Sequence, residues 1–220
     1  MVYTVQNIVQ RVEVEEKDGA VLICCHQVCA PISKDWKIAY QTLYSIEKNG
    51  VVTIELNGVP TGKLPECLPR IGLRFGLDNA CQQLCWYGRG VEETYADSKE
   101  GNPFGVHRRT VEENYFPYVT PQENGNHEDT RWLMVKKENG AALCVATEKT
   151  LGFAALPYSQ EQLTKATHSA QLEKEELVSL TLDYKQMGLG SASCGPDCLE
   201  KDRLKPEPFA FSWKLFGIKE

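Results

Sequence analysis

The residues best suited to chemistry in this 220-residue chain are its cysteines, nine in all. Three pairs have the form Cys-x-x-x-Cys: Cys25/Cys29, Cys81/Cys85 and Cys194/Cys198. Zinc sites tolerate two to four residues between ligands, so two such pairs would supply a four-thiolate centre. In a strand, however, positions i and i+4 share a face, and small buried thiols pack well there. None of the pairs lies in a Gly-rich knuckle, so the spacing is read as core packing and no metal is expected. An odd cysteine count in a chain long enough to build a core argues against a disulfide scaffold. Free thiols in a reducing cytosol are expected.

The four histidines, His26, His107, His127 and His168, show no His-x-x-x-His spacing. Each is read as a surface or hydrogen-bonded residue, with His168 placed to cap a helix C-terminus. The doublets Glu92-Glu93, Glu112-Glu113 and Glu175-Glu176 read as solvated faces, since neighbours in a strand point to opposite sides. A retaining glycosidase needs two carboxyls about 5–5.5 Å apart across a sugar, and no spacing here supplies such a pair. Nor is there a dinucleotide fingerprint, a Gly-x-Ser-x-Gly elbow or a phosphate loop. No catalytic residue is therefore assigned. A stand-alone sugar epimerase would need a histidine acid and a glutamate base; His107 or His168 with Glu123 is the set to inspect. A carbohydrate-binding module would instead show an exposed aromatic strip.

The elements that must position these residues are short strands. Asp18-Gly19, Asn49-Gly50, Asn57-Gly58, Asn124-Gly125 and Asn139-Gly140 are turn pairs tolerant of positive φ. Alternation puts Val12 and Val14 on one face. Residues 42–46 with 51–56, and 131–135 with 142–146, read as hairpins. Ser159-Gln160-Glu161-Gln162 predicts a capping box and a helix ending near His168. A second helical turn is expected over 78–84. Residues 60–65 are the best candidate joint, read as a crossing between sheets rather than between domains, and Pro206-Glu207-Pro208 precedes a closing strand with alternating aromatics, Phe209, Phe211 and Trp213.

Composition is ordinary for a globular protein, with 42% hydrophobic and 25% charged residues. No apolar run reaches the ~18 residues of a membrane span. A net charge of −6 disfavours nucleic acid as a partner. The first residues show no basic stretch followed by an apolar run, so no secretory leader is expected.

Several words recur in a fixed order: Leu68-Pro69-Arg70-Ile71-Gly72-Leu73, Trp86-Tyr87-Gly88-Arg89-Gly90, Pro121-Gln122-Glu123-Asn124-Gly125-Asn126, Arg131-Trp132 and Gly188-Leu189-Gly190. Together they resemble the C-terminal domain of large bacterial β-galactosidases of glycoside hydrolase family two, from about residue 20 to the end. The resemblance implies an all-β fold, a large two-sheet antiparallel supersandwich similar to galactose mutarotase, as a single domain over 1–220 with one or two short helices. It implies a non-catalytic part that packs on a separate catalytic barrel, as parent chain or large subunit, with oligomerisation left open. The barrel supplies the two catalytic glutamates, assisted by magnesium and often sodium, and this chain itself needs no cofactor. Terminal β-D-galactosides such as lactose are the implied substrates, hydrolysed in the cytoplasm. In the family, the loop matching residues 188–196 reaches toward the active site, so Ser193, Cys194 and Gly195 are the implied substrate-side residues. Some members carry there a tryptophan platform for the aglycone, where this chain has Cys194. Val91, Thr94-Tyr95 and His127 also depart from the family pattern. Arg70, Trp86, Arg131 and Trp132 are read as structural, since Trp in strands is mostly core and Arg ties loops.

Overall fold

A computed structural model describes residues 5–190 and 195–219. In chain order the strands are β1 (Val5–Lys17), β2 (Ala20–Pro31), β3 (Trp36–Ile46), β4 (Val52–Gly62), β5 (Arg70–Asp78) and β6 (Cys81–Arg89). They continue as β7 (Phe104–Thr110), β8 (His127–Lys137), β9 (Ala141–Leu156), β10 (Leu177–Gln186) and β11 (Phe209–Lys219), with one α-helix, α1 (Gln160–Lys165), after β9. The recorded strand pairings are antiparallel, so the expected all-β antiparallel class is met.

The chain divides into two compact units. The first comprises Met1–Leu68, Val145–Glu148 and Lys205–Gly217. The second comprises Pro69–Cys144, Lys149–Leu204 and Ile218–Glu220. Their border at Leu68/Pro69 lies just past residues 60–65, which read from the sequence as a crossing between sheets rather than between domains.

In the first unit the strands run in the order β1-β2-β3-β4-β11. Register aligns Val14, Ile23, Tyr44, Ile54 and Trp213 in one cross-strand row. Burial along that row is graded: Trp213 and Ile54 are 1% and 2% exposed, while Val14 at the far end is 65% exposed. Trp213 packs against Phe211 with ring centroids 4.4 Å apart, as the alternating aromatics of the closing strand require. The Asp18-Gly19 and Asn49-Gly50 turns form as expected, with positive φ at Gly19 and Gly50. Asn57-Gly58 does not turn. Gly58 lies inside β4, directly under the Phe209 ring, and a Cβ there would come within 2.2 Å of it. This glycine serves close packing rather than a bend.

The second unit orders its strands β7-β6-β8-β9, with β10 on β9 and β5 on β10. Its core holds Trp86, Leu133, Val135, Phe153, Leu180 and Leu182, each essentially inaccessible. Residues 78–84 form a tight β5–β6 hairpin rather than a helical turn, with Asp78 Oδ1 accepting from the Ala80 N–H. Helix α1 starts where predicted, Ser159 Oγ accepting from the Gln162 N–H at 3.3 Å. The box is only half made, because the Gln162 side chain turns away to Glu175 (3.0 Å) and the Glu173 N–H (3.1 Å). The helix also stops at Lys165, short of His168, which is exposed and leads a separate 3-10 turn.

Candidate functional site

Three neighbouring strands of the second unit place Gly72, Asp183 and Gly152 side by side, on β5, β10 and β9. Cross-strand partners point to the same face, so Asp183 stands between two positions without side chains. A Cβ at Gly72 would lie 2.2 Å from Asp183 Oδ1, and one at Gly152 would lie 3.1 Å from Glu128 Oε1. The resulting slot is filled by charge. Arg70 Nη2 approaches Asp183 Oδ2 at 2.9 Å and Glu123 Oε1 at 3.1 Å. Gln160, with its amide oxygen turned to Arg70, accepts from Nη1 and donates to Glu123 Oε2, both at 3.3 Å.

The electrostatics follow from burial. Asp183 is 1% exposed. Desolvation pushes its carboxyl up to about 7 against the pull of Arg70. Burial works against the Arg70 charge too, but Asp183 and then Glu123 outweigh it and hold its pKa above the ordinary value. Glu128 is raised by the same desolvation. Among the described residues, Asp183 Oδ2 meets Arg70 as an ion pair without an aligned hydrogen bond, and Arg70 Nε, Asn126 Oδ1 and Gln186 Oε1 have no hydrogen-bond partner. Two carboxylates gathered on one guanidinium nitrogen neutralise a cation; they do not flank a sugar ring as a hydrolytic pair must. The arrangement acts as a clamp that ties the loop carrying Glu123 to β5 and β10.

The sequence words supply this clamp. Arg70 and Gly72 come from the first, Glu123 and Asn126 from the third. Asn124 trades hydrogen bonds with the backbone of Phe116, and Asn126 donates to Thr94 O at 2.8 Å. From the second word, Trp86 is fully buried and donates to Arg89 O at 2.9 Å, while Arg89 binds Asp129 (3.2 Å) and Asn102 O (3.2 Å). The structural reading of Arg70 and Trp86 is met. Arg131 lies over the Phe104 ring at 5.7 Å, and Tyr87 packs edge-on against Phe104 at 4.7 Å.

β10 leads from the clamp straight into the predicted substrate-side loop. Gln186 pairs in register with Arg70, and the Met187 N–H donates to Pro69 O at 2.9 Å. Gly188 donates to Asp202 O at 2.9 Å, and Gly190 to Asp97 Oδ2 at 2.6 Å. Gly190 takes φ of 62°, and a Cβ on it would strike the Cys198 nitrogen at 2.6 Å. On the returning side Asp197 Oδ2 meets Arg203 at 3.3 Å. Both stems of the loop are thus built. Of the implied substrate-side residues, Gly195 is exposed, while Ser193 and Cys194 lie outside the described residues.

The other sequence candidates separate. The eight cysteines among the described residues are free. Cys25 and Cys29 share the inner face of β2 beside Tyr40. His107 sits against Trp86 at 5.4 Å, His168 is exposed, and Glu123 belongs to the clamp. No epimerase constellation is assembled from them. His127 is fully buried between Trp86 and Phe153, with Nε2 2.7 Å from Asn114 Oδ1. Burial, with Arg109 and His107 adding to it, lowers its pKa to about 3. Sequence reasoning missed Asp183 altogether. The available signal was an acid ending the apolar run Leu180-Thr181-Leu182.

Residues 2–215 match the family described as the β-galactosidase small chain. The chain belongs to this family. A β-galactosidase of Actinobacillus pleuropneumoniae is 33% identical over 205 residues, which are 93% of this chain and 20% of that protein. One from Priestia megaterium is 36% identical over 67% of this chain and 14% of its own length, and one from Kluyveromyces lactis 33% over 81% and 18%. The small chain described here therefore spans about a fifth or less of these relatives. Among solved structures, a GalM/aldose epimerase homologue from C. elegans aligns with 96% of this chain and 69% of its own, at 10% identity and a TM-score of 0.43.

Proposed function

We propose that this small chain is the non-catalytic partner of a retaining β-galactosidase barrel, and that it shapes the aglycone side of the pocket for terminal β-D-galactosides. The observation that carries the reading is the loop stem. The Arg70–Asp183–Glu123 clamp fixes β10, and Gly188 and Gly190, which follow it, are held by Asp202 and Asp97. Family membership and the small share of each relative that the chain spans support its role as a part. The apolar face left open on β1, with Val9, Val12 and Val14 more than half exposed, supports packing against another body of the enzyme. In this reading Ser193, Cys194 and Gly195 line the aglycone side. The barrel brings the catalytic glutamates with magnesium and sodium, and the assembly acts on lactose in the cytoplasm.

Hydrolysis of a chromogenic β-galactoside tests it. The small chain alone is expected to be inactive, and to restore turnover when added to the matching barrel-containing polypeptide. Turnover by the small chain alone would overturn the reading, as would a barrel polypeptide equally active without it.

A further inference from the structure

The polar face of the β1–β2 hairpin, opposite the valines, carries a second constellation. Glu13 pairs across the ladder with Cys24, and Arg11 with His26. Cys24 and His26 are two residues apart on one strand, so their side chains share a face, and Glu13 joins them from β1. His26 Nε2 lies 3.5 Å from Cys24 Sγ and 3.3 Å from Glu13 Oε2. All three ligand atoms lie within 4.8 Å of one another. A tetrahedral zinc ion with ordinary bond lengths sets its sulfur and nitrogen ligands about 3.6 Å apart, and nitrogen and oxygen about 3.4 Å apart. The two spacings to His26 Nε2 are those of a zinc-binding set.

The surroundings favour a cation as well. A single imidazole nitrogen faces both a thiol and a carboxylate and carries at most one proton, so it cannot satisfy both by donation. A metal ion satisfies all three at once. The other oxygen of Glu13 is held by Arg11, which orients the carboxylate. The Gln41 amide donates to Cys24 Sγ at 2.8 Å from the next strand, the kind of outer hydrogen bond that fixes a metal thiolate. Imidazole, thiolate and carboxylate together suit zinc better than magnesium or calcium, which take oxygen ligands.

We propose that Glu13, Cys24 and His26 form a zinc site, completed by water, that fastens the outermost strand of the first unit to its neighbour. β1 has a strand partner on one side only among the described residues, and it is exposed along nearly its whole length. A bond from Glu13 to the two β2 ligands would hold it where packing does not.

The test is titration of the chelator-stripped full-length protein with zinc, and separately with cobalt as a spectroscopic probe. One equivalent is expected to bind, with a thiolate-to-cobalt charge-transfer band. Both are lost in Cys24→Ser and in His26→Gln, with folding checked by circular dichroism. Both are kept in Cys25→Ser, whose side chain lies on the opposite face. Amide exchange in β1 should slow by about tenfold at a zinc concentration ten times the dissociation constant, in the native protein but not in the two ligand variants. Equal zinc uptake by the native protein and Cys24→Ser, or cobalt binding without the thiolate band, would overturn the assignment.

Discussion

Asp183 and His127 are both buried in the second unit, and burial acts on them in opposite senses. The Asp183 pKa is raised from 3.8 to about 7, so the native state holds a proton that the unfolded chain releases. Its contribution to stability is full below the unfolded value and is lost as pH rises through 7. His127 is lowered from 6.5 to about 3, so the unfolded chain binds the extra proton. Its contribution is full above 6.5 and is lost as pH falls through 3. The two windows overlap between about pH 4 and 6.5, where the slopes cancel. At roughly 1.4 kcal/mol per pKa unit, each group alone would contribute up to a few kcal/mol. Urea denaturation across this range should show mirror-image variants. Relative to the native protein, Asp183→Asn gains stability as pH rises and His127→Phe loses it. Parallel profiles in all three proteins would show that neither group titrates as its burial dictates. His127→Phe carries a further, pH-independent cost of about 1–3 kcal/mol, because Asn114 Oδ1 loses its donor in a buried site.

Among the elements, the strands that build the clamp depend on a backbone approach that only glycine allows. A methyl at position 72 would meet Asp183 Oδ1 at 2.2 Å and the Leu182 carbonyl oxygen at 2.4 Å, and the second is backbone in the adjoining strand. Gly72→Ala is therefore expected to cost about 1–3 kcal/mol in urea denaturation, typical of overpacking; unchanged stability would refute the close approach. The same element shows what sequence can and cannot convey. The hairpin turns at Asp18-Gly19, Asn49-Gly50 and Asn139-Gly140 were legible because each needs positive φ locally. Asn57-Gly58 looked the same yet serves packing, since the Phe209 ring that requires it is distant in sequence. Ser159 announced its helix correctly. Its length was not legible, because Gln162 finds Glu175 and Glu173 instead of the chain behind it. Arg70, Gly72 and Glu123 stood in recognisable words, but the Asp183 that joins them is set by register alone. The Glu13–Cys24–His26 group was equally invisible, for its spacing exists across a ladder and not along the chain.

For the molecule as a whole, the proposed function makes the small chain a part, and some of its residues are then to be judged in the assembled enzyme. Cys194 is one. In the complemented β-galactosidase, Cys194→Trp is expected to restore an aromatic platform and tighten discrimination among aglycones, read as a change in relative kcat/KM between lactose and a small synthetic galactoside. Unchanged ratios would remove Cys194 from the pocket wall. A different consequence attaches to β1. It is the end strand of its sheet, its valines are open on one face, and a row of backbone groups has no partner on the outer side among the described residues. Such an edge is a template onto which a second copy can zip. Arg11, Glu13, Glu15, Glu16 and Lys17 interrupt the apolar pattern along the strand, and two molecules meeting edge to edge would set those charges beside one another across the new ladder. The colloidal behaviour of the protein thus rests on a fringe of a few ions, and salt that screens them loosens the guard.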